Sequence, residues 1–311
     1  MKIIYGIGRV KPALTNTVAA IGIFDGVHKG HQSLIRRMVA SAHRKGVQSL
    51  VITFHPHPVE VLHQKKLTYL VSLSQRIELI KALGVDIVLV IKFTQKFARL
   101  KPEEFVRKYL VKRLGGKEVF VGDDFRFGEN RSGNVNLFEE MGVKYGFLVN
   151  HMNTIKKTAG KISSTWLRDL IEKGRLSDAH SMLGRNVSVE GKVIRGSGRG
   201  KRLGFPTANI KLNSGILPPR GVYIVRVQFN GCVLNGISNI GCRPSFTHKD
   251  LDIHFEVHIF DFQKNIYSQS LSVEFLKKIR NEKKFPSLNQ LAAQIRSDET
   301  TARRFLRSQK N

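Results

Sequence analysis

The sequence has little of what marks secreted or membrane-spanning proteins. Its 2 cysteines among 311 residues, Cys232 and Cys242, form no Cys-x-x-Cys pair, which is typical of a reducing compartment and gives no sign of a metal or redox site. The longest apolar run, Val85–Ile91, is too short to cross a bilayer and contains Asp86. The segment up to Lys11 lacks the long apolar core of a secretory signal. These absences predict a soluble cytoplasmic protein without a membrane partner.

Acidic residues are also scarce. The chain has 24 Asp and Glu against 52 Lys and Arg, a formal charge of +28. Such an excess raises nucleic acid, anionic lipid and polyphosphate substrates as partners. It is spread along the chain, with 30 basic and 15 acidic residues in 1–183 and 22 and 9 in 184–311. Short clusters such as Arg36-Arg37 are typical of solvated faces, so the charge alone does not decide the function.

The pattern of hydrophobicity changes near residue 184. Before it, short apolar segments alternate with helical patterns, which indicates a parallel sheet covered by helices. After Gly184, strand patterns follow one another with turn signals such as Asn230-Gly231 between them, which indicates an antiparallel sheet or small barrel. Only Leu288–Leu306 then favours a helix. We therefore predict an α/β domain over residues 1–183 and a mainly antiparallel β-barrel domain with a C-terminal helix over residues 184–311.

The predicted strands of the first domain are Val18–Ile23, Ser49–Phe54, Val85–Ile91, Glu118–Val121 and Phe147–Asn150, and its predicted helices include Ser33–Arg44, Ser74–Leu83 and Pro102–Leu114. Those of the second domain are Val187–Ile194, Gly221–Phe229, Val233–Ile240, Ile253–Phe262 and Leu271–Phe275.

A glycine- and histidine-rich turn follows the first strong strand, from Gly22 to His31. Glycines allow close backbone approach to a ligand, and a helix N-terminus offers unpaired N–H groups to phosphate. His28 and His31 are three residues apart, so in a helical turn both could reach one triphosphate. A single histidine would more often be a satisfied structural residue, whereas the paired pattern favours phosphate binding.

This His-x-Gly-His turn resembles that of the nucleotidylyltransferase superfamily, and the longer run Gly22–His31 resembles its FAD synthetase branch. The resemblance implies a Rossmann-like fold in which the histidines bind ATP phosphates and stabilise charge during in-line attack by the FMN phosphate. Three further segments match in order: Thr53–Pro58, Val121–Gly128 and Ile162–Arg168. Trp166 stands where the family often has Arg, so we assign it no phosphate role.

The second domain contains a glycine-rich basic loop, Gly196–Gly204. It fails the P-loop spacing by one residue and also lacks the Gly-x-Gly-x-x-Gly spacing of dinucleotide-binding turns. What remains is a cationic loop suited to phosphate, or merely a mobile hairpin.

The loop leads into Pro206-Thr207-Ala208-Asn209, which resembles the Pro-Thr-Ala-Asn motif of riboflavin kinases. On an extended segment Thr207 and Asn209 point the same way, so both could meet one Mg²⁺, although they could also simply decorate a strand. The resemblance implies that Glu256 is the general base for the riboflavin hydroxyl, while its alternation with Phe255 and Val257 equally fits a solvent-facing strand residue.

Together the motifs resemble the prokaryotic bifunctional riboflavin kinase and FMN adenylyltransferase family over nearly the whole chain. The resemblance implies ATP-dependent phosphorylation of riboflavin to FMN and adenylylation of FMN to FAD with release of pyrophosphate, with Mg²⁺ as cofactor and riboflavin, FMN and ATP as small-molecule partners. The expected catalytic residues are Glu256, His28 and His31. The expected ATP-binding residues are Gly22, Phe24, Gly26, His28, His31, Ser163, Ser164, Thr165, Arg168, Gly196, Gly198, Arg199, Gly200 and Lys201; the flavin-binding residues are Asp124, Phe125, Asn239 and Arg243; and the metal-binding residues are Thr207 and Asn209.

Two alternatives stay open at this point. One is an adenylyltransferase joined to a basic barrel that binds nucleic acid, against which stands the lack of an aromatic-rich RNA-binding stretch. The other is a chain in which one of the two sites has decayed. We expect no nucleic-acid partner.

Overall fold

A computed structural model describes residues 1–152, 156–157, 160–196, 198, 200, 203–243 and 252–309. The chain divides into two compact units. The first comprises Met1–Thr68 and Leu73–Ser164, and the second comprises Tyr69–Ser72 and Thr165–Asn311. The predicted domain boundary at residues 183/184 stays a prediction, because compactness alone does not show which segments fold independently.

The first unit contains a six-stranded parallel sheet. Its strands are β1 (Lys2–Tyr5), β2 (Thr17–Ile21), β3 (Gln48–His55), β4 (Ile87–Lys92), β5 (Gly116–Gly122) and β6 (Leu148–Met152). They lie in the order β1-β4-β3-β2-β5-β6, and every neighbouring pair is parallel. All five residues of β2 are buried, as expected for a central strand covered on both faces. The sequence prediction missed β1, an edge strand of four residues in which only Ile4 is buried.

Helices connect these strands. They are α1 (Lys29–Arg44), α2 (Pro58–His63), α3 (Leu73–Lys81), α4 (Gln95–Ala98), α5 (Pro102–Glu104) and α6 (Val135–Tyr145). Residues Phe105–Val111, predicted as part of one helix from Pro102 to Leu114, form a π-helical segment that follows α5. A short two-stranded ladder, β7 (Lys156–Lys157) with β8 (Gly160–Lys161), precedes α7 (Ser164–Glu172) and α8 (Leu176–Leu183).

The strand order places a topological switch at β2, because the chain proceeds to β3 on one side of this strand and to β5 on the other. Ligands of open α/β sheets bind outside the carboxyl ends of the strands at such a point. The loop after β2 is the Gly22–His28 turn, so the topology places it where a ligand is expected.

The second unit contains a closed antiparallel barrel of six strands in the order β10-β13-β12-β11-β14-β9. Its strands are β9 (Val187–Ile194), β10 (Ala208–Ser214), β11 (Gly221–Phe229), β12 (Cys232–Arg243), β13 (Asp252–Ile259) and β14 (Ser270–Arg280). Tyr223, Phe255 and Phe275 pack together with ring centroids 5.5–5.8 Å apart, and all three are buried. The alternate residues of these strands therefore form the outer face.

The C-terminal helix α9 (Leu288–Ser308) packs on that outer face through Ala302 and Leu306, against Val222, Ile224 and Ile237. Its Asp298 is 3% exposed and accepts hydrogen bonds from Arg280 of β14 at 2.8–3.0 Å. The fold class predicted from the sequence is confirmed: a parallel α/β sheet, then an antiparallel barrel, then a C-terminal helix. In the described part of the chain, no helix combines the length and apolar character needed to span a bilayer.

Candidate active sites

The first unit contains a cavity of about 920 Å³ at the carboxyl ends of β2, β3, β4 and β5. Its volume is that of a site for one or two substrate-sized molecules. The sequence-predicted residues that line it are Gly22, Phe24, Asp124, Phe125, His28, His31, Ser163 and Ser164.

The turn that enters this cavity is held in an uncommon backbone conformation. Phe24, Gly26 and Val27 have φ values of 55°, 78° and 40°, and a β-branched residue in this region is a genuine outlier. Phe24 and Val27 are buried at 2% and 1% exposure, and Gln32 Nε2 donates to the Val27 carbonyl at 2.9 Å. Strain of this kind persists only where the surroundings fix it, so the turn is rigid.

Gly22 is required by packing. A β-carbon at this position would lie 2.8 Å from the Phe24 ring, which is closer than van der Waals contact allows. The glycine therefore lets the Phe24 ring fold back beneath the turn. Gly26 serves the turn through its positive φ and is not among the residues that line the cavity.

His28 and His31 lie face to face at the start of α1. Their rings stack with centroids 3.6 Å apart, and the His31 ring meets Phe24 edge-on at 5.2 Å. His28 is the N-cap of α1, and its Nδ1 accepts the backbone N–H of His31 at 3.3 Å. Because Nδ1 accepts, the ring proton of a neutral His28 lies on Nε2, where it can be donated to a ligand.

The environment of His31 favours the neutral ring. Burial lowers its pKa well below the usual value, and the neighbouring charges of His28 and Arg76 lower it further. His31 Nδ1 is buried and has no hydrogen-bond partner among the described residues. Buried polar atoms are nearly always satisfied, so this nitrogen indicates a place for a ligand atom.

Much of the remaining cavity lining is aromatic. Phe54, Phe93 and Phe97 pack at centroid distances of 5.7–6.0 Å, and Phe125 stacks on Phe127 at 5.2 Å with an interplanar angle of 13°. The cavity lining thus combines two stacked histidines with aromatic rings, which suits a ligand with a charged group and a flat ring. Asp124 is exposed at its edge.

The late helix α7 begins at the same cavity. Ser164 Oγ donates to the Asp25 carbonyl at 2.9 Å, and Ser163 and Ser164 line the cavity. Thr165 is exposed and Arg168 is half-buried, and both belong to the second unit. Their proposed phosphate contacts stay predictions.

Sequence reasoning missed Arg76 on α3. Its side chain is 0% exposed, and Nη1 donates to the Ile23 carbonyl at 3.0 Å and to the Phe54 carbonyl at 3.3 Å. The signal was present, because Leu73, Arg76, Ile77 and Ile80 follow the spacing of a buried helical face and arginine is the exception in it.

In the second unit, three polar residues form one row across the barrel wall. Glu256 of β13 stands directly opposite Asn209 of β10 on one side and Asn239 of β12 on the other. Directly opposed antiparallel residues have β-carbons about 4.5–5.5 Å apart. The buried neighbours Phe255 and Val257 face the interior, so the row lies on the outer face. The strand register thus brings Asn209, Glu256 and Asn239 together.

Two glycines of the basic loop, Gly196 and Gly200, lie close to the predicted metal-binding residues. A β-carbon at Gly196 would lie 2.0 Å from Asn209 Nδ2, and one at Gly200 would lie 2.9 Å from Thr207 Oγ1. Phe205 N–H donates to the Gly200 carbonyl at 2.9 Å. Gly196 and Gly200 therefore pack against the two residues predicted to hold the metal ion.

Several predicted residues are not placed. Arg199 and Lys201 lie outside the described residues, as does the side chain of Arg243. Gly198 is described and has φ +69°.

His258 of β13 contacts the segment Pro206–Asn209. Its Nδ1 lies 2.8 Å from the Pro206 carbonyl oxygen, and its ring meets Phe205 edge-on at 5.6 Å. A carbonyl oxygen can only accept, so Nδ1 carries the proton and donates. His258 thereby fixes the residue that precedes Thr207.

Comparison with known proteins identifies the family of each half of the chain. The family model for FAD synthetase matches residues 10–166, and that for riboflavin kinase matches residues 183–306. A Haemophilus influenzae protein named bifunctional riboflavin kinase/FMN adenylyltransferase is 38% identical, with 99% of this chain and 100% of the relative covered. Its namesake from Bacillus subtilis is 36% identical over 95% of this chain and 94% of its own length.

A solved structure from Streptococcus pneumoniae, titled a macrolide-efflux protein, superposes with a TM-score of 0.85 at 29% identity. The match covers 97% of this chain and 99% of that one, so the two share the whole fold. With both family models matched in order and full-length relatives above 30% identity, the chain belongs to the bifunctional riboflavin kinase/FMN adenylyltransferase family.

Proposed function

We propose that the chain phosphorylates riboflavin to FMN in its second unit and adenylylates FMN to FAD in its first. The observation that carries the second reaction is the cavity of the first unit, whose lining includes the stacked His28 and His31 together with several aromatic rings. ATP phosphates would lie against His28 and His31, and the flavin ring would lie among the phenylalanines near Phe125.

Adenylyl transfer in this cavity needs positioning and charge stabilisation. An FMN phosphate oxygen attacks the α-phosphorus of ATP, the bond from that phosphorus to the bridging oxygen breaks, and pyrophosphate leaves. His28 Nε2–H and the His31 ring donate to phosphate oxygens as negative charge builds on them. The rigid turn keeps these donors in place before the substrates arrive. No protein nucleophile is required.

Phosphorylation of riboflavin uses the polar row of the barrel. Glu256 accepts the proton of the ribityl hydroxyl, whose oxygen bonds to the γ-phosphorus of ATP while ADP leaves. Gly196, Gly198 and Gly200, with Arg199 and Lys201, form the proposed phosphate loop. Asn239 and Arg243 are proposed to face the flavin, as is Asp124 in the first unit.

Mg²⁺ fits Thr207 and Asn209 by donor chemistry. A hydroxyl and a carboxamide oxygen are hard ligands, and magnesium commonly takes few protein ligands and completes its shell with water and phosphate. Among the described residues, no group of three His, Cys, Asp or Glu could hold a metal ion. When bound, the ion would neutralise phosphate charge during transfer.

We further propose that the enzyme works in the cytoplasm on these small molecules and binds neither nucleic acid nor membrane. A filter-binding assay with labelled RNA and DNA tests the nucleic-acid part. Strongly salt-dependent retention of either probe would contradict it.

The main test incubates the purified chain with riboflavin, ATP and Mg²⁺ and resolves the three flavins over time. We expect FMN to rise first and FAD to follow. If neither product forms, the proposed function is wrong. If FMN accumulates without FAD, only the adenylylation proposal is wrong.

Two variants assign the residues. Glu256→Gln keeps the side-chain volume and removes the base, so FMN formation should fall at least about 100-fold while added FMN is still converted to FAD. His31→Ala should do the opposite, with FAD formation reduced about 100-fold and riboflavin phosphorylation unchanged. Each variant is the other's control. Loss of both activities in either variant would contradict the separate assignment.

A further inference from the structure

A buried positive charge lies next to the adenylylation site and has no part in the mechanism above. Arg76 projects from α3 and is fully buried, at 0% exposure. Removing a guanidinium from water is unfavourable unless its donors are satisfied. A buried arginine at this position therefore needs a reason beyond filling space.

Arg76 holds the ends of two strands. Its Nη1 donates to the carbonyls of Ile23 and Phe54 at 3.0 and 3.3 Å. Ile23 directly precedes the strained residue Phe24, and Phe54 directly precedes His55. The Ile23 carbonyl also accepts from Thr53 Oγ1 at 2.9 Å. One cation thus links the histidine turn after β2 to the end of β3.

The charge of Arg76 is felt at the site. It lowers the pKa of His31 and that of His55, in each case together with burial. The other charged groups facing these rings are His28, which lowers the pKa of His31, and Glu60 of α2, which raises that of His55. Of these two rings, His31 lines the cavity. A charge that acts on the His31 ring also acts on phosphate placed beside it, and burial keeps solvent from screening that charge.

We propose that Arg76 is a positioning residue for FMN adenylylation, whose buried guanidinium fixes the ends of β2 and β3 and supplies unscreened positive charge to the phosphate-binding turn. This inference rests on the proposed function, because it assigns ATP phosphates to His28 and His31.

The test separates charge from hydrogen bonding with two substitutions. Arg76→Lys keeps the charge, whereas Arg76→Gln keeps a donor for the carbonyls and loses the charge. For Arg76→Gln we expect kcat/KM for FAD formation to fall about 30-fold, with about tenfold of this in the KM for ATP, and for Arg76→Lys a loss within about fivefold. A merely structural role would reduce the active fraction, and hence kcat, with KM unchanged.

Two controls accompany these variants. Lys81→Gln removes a positive charge from the same helix at an exposed position, 56% exposed, and should leave FAD formation unchanged. Riboflavin phosphorylation by each variant reports on the second unit and should equal that of the wild type. Parallel loss of both activities would overturn the proposal.

The titration of His55, followed by NMR, gives a readout that does not depend on turnover. In wild type its pKa should lie below the usual value of about 6.5. The positive charge of Arg76 lowers the pKa of His55. This pKa should therefore rise in Arg76→Gln, which removes the charge, and stay unchanged in Arg76→Lys, which keeps it. An unmoved His55 titration in Arg76→Gln would overturn the proposal.

Two situations need separate treatment. If the wild-type chain forms no FAD, the adenylylation proposal fails, and the role of Arg76 is judged by calorimetric binding of ATP and by the pKa of His55. If Arg76→Gln shows no cooperative unfolding transition, Arg76→Lys decides: retention of kcat/KM within about fivefold supports the charge, and a loss beyond about 30-fold overturns it.

Discussion

His258 connects the wall of the barrel to the segment that carries Thr207. The connection is one hydrogen bond, from Nδ1–H to the Pro206 carbonyl. Because Pro206 is the residue before Thr207, movement of this carbonyl would move the proposed metal-binding hydroxyl. The effect of a substitution at His258 on phosphorylation should therefore depend on whether the new side chain places an N–H donor at the position of Nδ1.

Asparagine and glutamine distinguish the two ring nitrogens of His258. The amide of Asn reaches about as far as Nδ1, and that of Gln about as far as Nε2, so only His258→Asn keeps the donor to Pro206. We expect kcat/KM for riboflavin phosphorylation to fall about tenfold in His258→Gln, because losing one hydrogen bond commonly has an effect of this size. In His258→Asn we expect a fall of less than about threefold. Steady-state assays of both activities check this, with FAD formation from added FMN as the control. Equal losses in the two variants would contradict the positioning role.

The sequence predicted residues whose role follows from local pattern. The pairing of His28 with His31 could be inferred because three-residue spacing at a helix start places two side chains together, and the rings do stack. Arg76 could not be assigned, because its importance arises from the carbonyls of Ile23 and Phe54, which lie distant in sequence. The catalytic roles of His28 and His31 stay proposals.

At the level of elements, hydrophobic pattern predicted the central strands well and the peripheral ones poorly. β3 and β4 have continuous apolar runs because they are buried on both faces. β10 was recognised only as an extended segment, since its exposed and half-buried residues alternate irregularly and its register with β9 shifts between Leu212 and Ser214. Closure of the barrel depends on such pairings and is not encoded by any single segment.

The junction of β10 with the glycine-rich loop has little spare room. At Gly196 the nearest atom to an added β-carbon is Asn209 Nδ2, at 2.0 Å. Real β-carbons do not approach other heavy atoms so closely. Any larger residue at Gly196 must therefore displace the Asn209 amide, which stands opposite Glu256.

Gly196→Ala tests the proposed metal site at this level. We expect riboflavin phosphorylation to fall at least about tenfold, with a raised requirement for Mg²⁺, because the Asn209 oxygen is moved from its place. The matched control is Gly231→Ala in the turn between β11 and β12, where no atom of the described residues lies within 4 Å of an added β-carbon, although its φ of +77° makes alanine unfavourable by about 1 kcal/mol. Titration of activity with Mg²⁺ gives the result. An equal loss of activity in both variants would show that general strain from the added methyl group, and not displacement of the Asn209 amide, causes the loss.

For the whole molecule, the two sets of proposed catalytic residues fall in different compact units. His28 and His31 belong to the first, and Thr207, Asn209 and Glu256 to the second. The division of the chain into an α/β part and a barrel could be predicted from sequence, because periodicity changes from alternating helix and strand to strand alone. This separation is why each activity can serve as the control for the other.

The net charge of +28 gives the last prediction. A strongly positive molecule attracts ATP and FMN, which are anions, whereas riboflavin is uncharged. Raising the ionic strength from about 0.02 M to about 0.5 M shortens the screening length from about 20 Å to about 4 Å. The KM for ATP and that for FMN should rise at least about fivefold, while the KM for riboflavin should change less than about twofold. Initial rates with Mg²⁺ held saturating measure all three constants on one preparation. A riboflavin KM that rises in parallel with the other two would show that salt acts on the fold, and constants that all stay unchanged would show that the net charge has no part in substrate capture.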